Sequence, residues 1–175
     1  MSQKLVITAL GADRPGIVNE LSDALCSNKL NIEDSRMSVL GGEFAILLLV
    51  SGTTEAVNAF IASGPNIENS LKMKLTVKVT EALAEPQQLV PYDVDVVAID
   101  NPGIVHNLAS FFSSRQINIV DLETDRYAAP HTGTPMFSLH MTIGVPTDMA
   151  ISNLRDELMT TCDELNLDAT LSSTS

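Results

Sequence analysis

The chain repeats itself. Sliding the 175-residue sequence by 87 positions aligns Asp13-Arg14-Pro15-Gly16-Ile17-Val18 with Asp100-Asn101-Pro102-Gly103-Ile104-Val105. Without a gap, the same offset aligns Leu21 with Leu108, Asn31 with Asn118, Ile32 with Ile119 and Asp34 with Asp121. The shared pattern is D-x-P-G-I-V-x-x-L followed by N-I-x-D. Agreement at these positions in one ungapped register identifies two homologous domains, and a repeat governs any fold assignment.

The join falls where Glu-Ala-Leu-Ala-Glu-Pro-Gln-Gln-Leu-Val-Pro loses both strand and helix periodicity and carries two prolines. We expect a first domain over residues 1–81, a linker over 82–91 and a second domain over 92–175. A unit of ~80 residues buries only about 60% of its unfolded surface, so it gains from a neighbour. Pairing of the halves, or a homodimer, is expected.

The periodicities give one order of elements twice. Lys4 to Leu10 and Tyr92 to Ile99 read as strands, the latter alternating Asp93 and Asp95 with Val94 and Val96. A helix follows, with Ile17, Leu21 and Leu25 on one face and Ile104, Leu108, Phe111 and Phe112 repeating it. Asn31 and Asn118 open a second strand. Gly41-Gly42 signals a hairpin before Glu43 to Ser51, and a longer loop, Ala128 to Pro135, precedes Met136 to Val145. A second helix carries Val57, Phe60 and Ile61 until Gly64-Pro65 is expected to break it. Its counterpart holds Ile151, Leu154, Leu158, Cys162 and Leu165 on one face. Lys72 to Thr80 and Asp168 to Ser172 close the units. The order β-α-β-β-α-β makes this an α+β chain of two tandem ferredoxin-like sandwiches with antiparallel sheets, helices on one face.

In the second strand Ile32 and Met37 have opposite parity, as do Ile119 and Leu122, which calls for a bulge or a ladder that starts near Ser35 and Leu122. The irregularity lies beside Asp34 and Asp121, which serve either a strand-entry turn or a ligand.

At the repeated turn, Pro15 and Pro102 suit a first helical position, and each pushes the preceding Arg14 or Asn101 toward an N-cap geometry. Asn101 caps by side chain; at the first turn Asp13 stands in for Arg14. Gly16 and Gly103 cost ~1 kcal/mol inside a helix, so they point to close approach by another backbone or a small ligand. A helix start offers free amides to a carboxylate, and Asp13 and Asp100 stand ready for an ammonium. The candidate ligand is a small amino acid, held around Asp13, Arg14, Pro15, Gly16, Ile17 and Asn31, and around Asp100, Asn101, Pro102, Gly103, Ile104 and Asn118. Tight helix-on-sheet packing without a ligand is the competing explanation.

Ten Lys plus Arg against 22 Asp plus Glu give a net charge of −12. Nucleic-acid affinity rests on basic residues displacing counterions, so direct DNA binding is disfavoured. The longest apolar run, Phe44 to Val50, is far short of the ~20 residues of a membrane span, and no signal peptide is recognisable, so a cytoplasmic location is expected. Cys26 and Cys162 both lie in apolar helical patterns and are expected as buried thiols. His106, His131 and His140 do not recur between the repeats, and no H-E-x-x-H, C-x-x-C, G-x-S-x-G or phosphate-loop pattern occurs. No catalytic residues, metal or cofactor are expected, and the chain does not read as an enzyme.

Two such units with Asp13-Arg14-Pro15-Gly16-Ile17 at the first turn, then Asn31-Ile32-Glu33-Asp34-Ser35-Arg36 and Glu43-Phe44, resemble tandem ACT domains. That resemblance covers essentially the whole chain, with the second repeat more diverged. It implies amino-acid binding where domains pair. It also implies regulation of glycine-cleavage genes through a DNA-bound LysR-type transcription factor rather than through DNA, with glycine as effector. Residues 82–175 carry 3 basic and 13 acidic residues, net −10, which would suit a basic partner. The alternative implied by the same resemblance is a regulatory amino-acid-binding subunit of a metabolic enzyme.

Overall fold

The computed structural model describes residues 2–81 and 88–174. The chain divides into two compact units, Met1–Ala84 and Glu85–Ser175. The first runs β1 (Ser2–Ala12), α1 (Ile17–Ser27), β2 (Asn31–Leu40), β3 (Glu43–Thr53), α2 (Thr54–Leu71) and β4 (Lys74–Thr80). The second runs β5 (Leu89–Ile99), α3 (Ile104–Ser113), β6 (Asn118–Ala128), β7 (Pro135–Pro146), α4 (Ile151–Glu164) and β8 (Asp168–Ser173). Each unit holds one antiparallel four-stranded sheet, ordered β2-β3-β1-β4 and β6-β7-β5-β8. The ferredoxin-like order is therefore present twice.

Strand alternation decides which residues meet the helices. In the first unit Leu5, Ile7 and Ala9 of β1 and Phe44, Ile46, Leu48 and Val50 of β3 form one core with Ile17, Leu21 and Leu25 of α1 and Val57, Phe60 and Leu71 of α2. The second core repeats this with Val94, Val96 and Ala98, alternate residues of β7 from Phe137 to Val145, and Leu108, Phe112, Leu154 and Leu158. Among the described residues neither core contains a buried charged side chain.

Helix α2 departs from expectation: it continues through Gly64-Pro65 to Leu71. Proline in a helix interior costs ~3 kcal/mol. Beyond it, Ile67 and Leu71 are buried, and burying two such side chains returns roughly 3–6 kcal/mol. Packing outweighs the local breaker, and Pro65 sits on the exposed side. Strand β5 starts at Leu89, ahead of the expected Tyr92, and Pro91 pairs opposite Gly144. Pairing with β8 begins only at Tyr92, so Pro91 has an open flank where its missing N–H is not needed. Residues 82–87 of the expected linker lie outside the described residues.

The parity conflict in the second strand is a bulge in both units. Register shifts between Ile32 and Asp34 in β2 and between Ile119 and Asp121 in β6. Cys162 is buried, and burial pushes its thiol up to about 11, whereas Cys26 is exposed, against expectation. The α1 stripe advances Ile17, Leu21, Leu25, and Cys26 is one residue, a hundred degrees or so, off that face.

Candidate functional site

The D-x-P-G segment links the end of β1 to α1. Asp13 donates its N–H to the Gly42 carbonyl at 3.2 Å, and Asp100 donates to Pro135 at 2.9 Å, so each turn is moored to the neighbouring hairpin region. Gly16 has φ 88° and ψ −7°, Gly103 φ 94° and ψ −1°. Those angles belong to the third position of a type II turn, with proline at the second, and Ile17 N–H reaches back to Arg14 C=O at 3.4 Å.

The N-cap is therefore glycine, not Arg14 or Asn101, and the prolines precede the helices instead of starting them. Glycine is required by its left-handed conformation rather than by close packing. A Cβ on Gly16 would meet only Glu20 Oε1, at 3.7 Å, and on Gly103 nothing within 4 Å. With glycine at the cap, neither helix receives a side-chain cap, and in α1, where Ile17 N–H is taken by Arg14 C=O, the Val18 and Asn19 amides are left for solvent or ligand.

In the first unit this turn borders an open depression of ≈ 540 Å³, lined by Asp13, Arg14, Gly16, Val18, Asn19 and Phe44 among others. Asp13 is exposed and forms no ion pair among the described residues. Arg14 is already engaged. Its Nη1 and Nη2 donate to the two Glu20 oxygens at 2.7 and 2.6 Å, and Nη2 also reaches the Leu71 carbonyl at 3.2 Å. It thereby joins the start of α1 to the end of α2, and the bonds from Arg14 hold the Glu20 carboxyl below its usual range. Ile17 and Ile104 are core residues.

The second turn differs. Asp100 pairs with Arg126 at 2.7 Å, and Asn101 Nδ2 donates to the Ile99 carbonyl at 3.0 Å instead of capping α3. Asp100 is therefore neutralised where Asp13 is not.

Asn31 and Asn118 do not join the turns. Asn31 lies in line with Ser51 and Lys4, while the first turn follows Ala12. Eight residues along β1 is roughly 27 Å. Asn118 likewise aligns with Gly144 and Pro91, eight residues from Ile99, and borders a separate hollow of ≈ 440 Å³ with Ala109, Ser113 and Gln116. Within one unit, the two repeated motifs occupy opposite ends of the sheet.

Asp93 and Asp95, which the alternation turns outward, form cross-strand rows with distant residues on the second unit's open face. His140 aligns with Asp95 on one side and Glu123 on the other. Its Nδ1 lies 2.7 Å from Asp95 Oδ1, and that bond, with the charges of Asp95, Asp93 and Glu123, raises the imidazole above its ordinary value. Thr142 donates to Asp93 at 2.8 Å. This sheet face holds much of the second unit's negative charge. Among the described residues no helix is long and apolar enough to cross a membrane.

Doubled βαββαβ units, each entering its first helix through a glycine turn, define a tandem ferredoxin-like protein. A model of the ACT domain matches residues 3–80. The glycine cleavage system transcriptional repressor of Escherichia coli K12 is 32% identical over 162 residues, 93% of this chain and 85% of that protein. The chain thus belongs to the ACT-domain family that includes this repressor. A crystal structure of a protein of unknown function from Galdieria sulphuraria superposes with TM-score 0.82 at 27% identity, covering 100% of both chains. Another, provisionally assigned as a glycine cleavage system transcriptional repressor, gives 0.74 at 26% identity over 100% of this chain and 99% of that one.

Proposed function

We propose that this protein is an amino-acid-responsive corepressor of glycine-cleavage genes, acting on a DNA-bound LysR-type activator and not on DNA. The observation that carries the reading is the first unit's turn, with uncapped amides for a carboxylate and an unpaired Asp13 carboxylate for an ammonium. Glycine fits this pair of groups and needs no side-chain pocket. Asn31 and Asn118 are not part of this site, because each lies ~27 Å from its own turn. The second turn is a weaker site, since Arg126 already neutralises Asp100. The acidic open face of the second unit supplies a surface for a basic partner.

Calorimetry of the purified chain with glycine tests the sensing step. Binding is expected, with loss in Asp13→Asn and little change in Asp100→Asn. No heat with glycine or any other amino acid removes sensing from the reading. Capture of a LysR-type factor from extract, released by glycine, supports the transcriptional step; capture of a metabolic enzyme alone refutes it.

A further inference from the structure

We propose that the open face of the first unit's sheet packs on the same face of a second copy of this chain, about a two-fold axis parallel to the strands. The central strand β3 is apolar on both sides: Phe44, Ile46, Leu48 and Val50 enter the core, while Ala45, Leu47 and Leu49 point the other way. An antiparallel sheet with one wet face normally alternates apolar with polar, and a strand apolar throughout belongs in a sheet covered on both faces. Leu47 is 46% exposed, Leu10 51% and Leu40 71%. In the second unit the corresponding strand β7 turns Ser138, His140 and Thr142 outward, so the need for a cover is confined to the first.

The register identifies the cover. Across the open face the rows read Lys78-Val6-Leu49-Asp34, then Thr76-Thr8-Leu47-Arg36, then Lys74-Leu10-Ala45-Ser38. A two-fold axis along the strands keeps each row at its own height and reverses it, so β4 of one copy lies over β2 of the other. Each row then meets itself in complementary order. Lys78 faces Asp34 of the second copy, Val6 faces Leu49, Thr8 faces Leu47 and Leu10 faces Ala45. The bonds Asp34 makes within its own unit, from Arg36 and from the Ser35 N–H, both fall on Oδ1, which leaves its other oxygen to the incoming ammonium. Lys78 forms no ion pair among the described residues.

The other open face excludes itself as the cover for its own copy. It gathers Asp93, Asp95, Asp121, Glu123, Asp125 and Asp168, and stacking it on itself sets like charges together. Four strands ~4.8 Å apart and rows ~7 Å apart make the first unit's face roughly 20 by 27 Å, or about 1,000 Å² over two copies. That is the lower end of specific interfaces, so a reversible, concentration-dependent dimer is expected.

Sedimentation equilibrium of the full chain over a wide concentration range provides the test. The chain is expected to dimerise, and Leu47→Glu, which touches no core residue, to abolish dimerisation while circular dichroism is unchanged. Lys78→Glu and Asp34→Lys each place two like-charge pairs in the interface, and each is expected to weaken the dimer about tenfold. Mixing the two variants restores both pairs in the heterodimer. Within one chain Lys78 and Asp34 are three strands apart, ~14 Å, so rescue has no intramolecular route. A chain that stays monomeric, a dimer indifferent to Leu47→Glu, or a mixture no tighter than either variant alone overturns the proposal.

Discussion

Replacing Gly16 isolates the reason for a glycine at the entrance of α1. Its φ of 88° lies in the left-handed region, which costs an L-residue roughly 1–2 kcal/mol. Against this, alanine restricts the unfolded chain and recovers about 0.4–1 kcal/mol. No clash adds to the balance, because the nearest atom to a new Cβ is Glu20 Oε1 at 3.7 Å. Gly16→Ala should therefore destabilise the first unit by about 1 kcal/mol, or about 4–8 °C in the melting of a domain this size. The order of replacements is more telling than any single value. Asparagine tolerates positive φ better than alanine, and a β-branched residue tolerates it least, so the loss should rise from Asn through Ala to Val. Urea unfolding of the three variants, read at constant m-value, measures it. Were close packing the reason, the bulkier asparagine would cost more than alanine. That inverted order, or an alanine variant as stable as the parent, refutes the conformational account.

Pro65→Ala should stabilise the first unit, by up to about 3 kcal/mol, since α2 already runs through this exposed position and alanine restores a backbone donor; thermal melting checks it, and a loss would mean the proline shapes the helix. Arg14→Ala should lower stability near neutral pH and lose its effect in acid. The Glu20 carboxyl is held low in the folded chain, so its contribution is present above the ordinary value of 4.5 and disappears as pH falls through the lowered one; denaturant titrations across that range read the convergence. His140 should titrate above its ordinary 6.5 in an NMR pH series, and Asp95→Asn should bring it down. Since that value is raised, any stability from the imidazolium is complete below 6.5 and is lost as pH rises through the folded value.

The repeat and its periodicities made the two sandwiches legible, because apolar positions at helical and strand spacing are what each core buries. The opposed parities of Ile32 and Met37 likewise announced the bulge. The break expected at Pro65 is absent because a local rule does not see the two side chains buried beyond it. At Gly16 the turn is legible and its cause is not: a positive φ leaves no periodic trace, and open space and close approach look alike in a sequence. Asn31 and Asp13 both recur at the 87-residue offset, yet recurrence reports common descent of a unit and not proximity within it. The Arg14–Glu20 clamp and the Asp95–His140–Glu123 row are not legible in the sequence because they depend on a loop conformation and on strand register. Neither spacing is that of a helix face or a single strand.

The two bulges also bear on how the chain survives while it is being made. Strands β2 and β6 form the outer rail of their sheets, and the backbone of one side of each is unpaired within its unit. A long, flat rail of that kind is a template on which other nascent chains can polymerise. By inserting Glu33 and Val120 out of step, each unit bends its rail and interrupts the even row of donors and acceptors near its start. An incoming strand finds no uninterrupted ladder to copy along the full length of β2 or β6. The irregularity that first showed as mismatched parity thereby shortens the regular ladder that each edge offers.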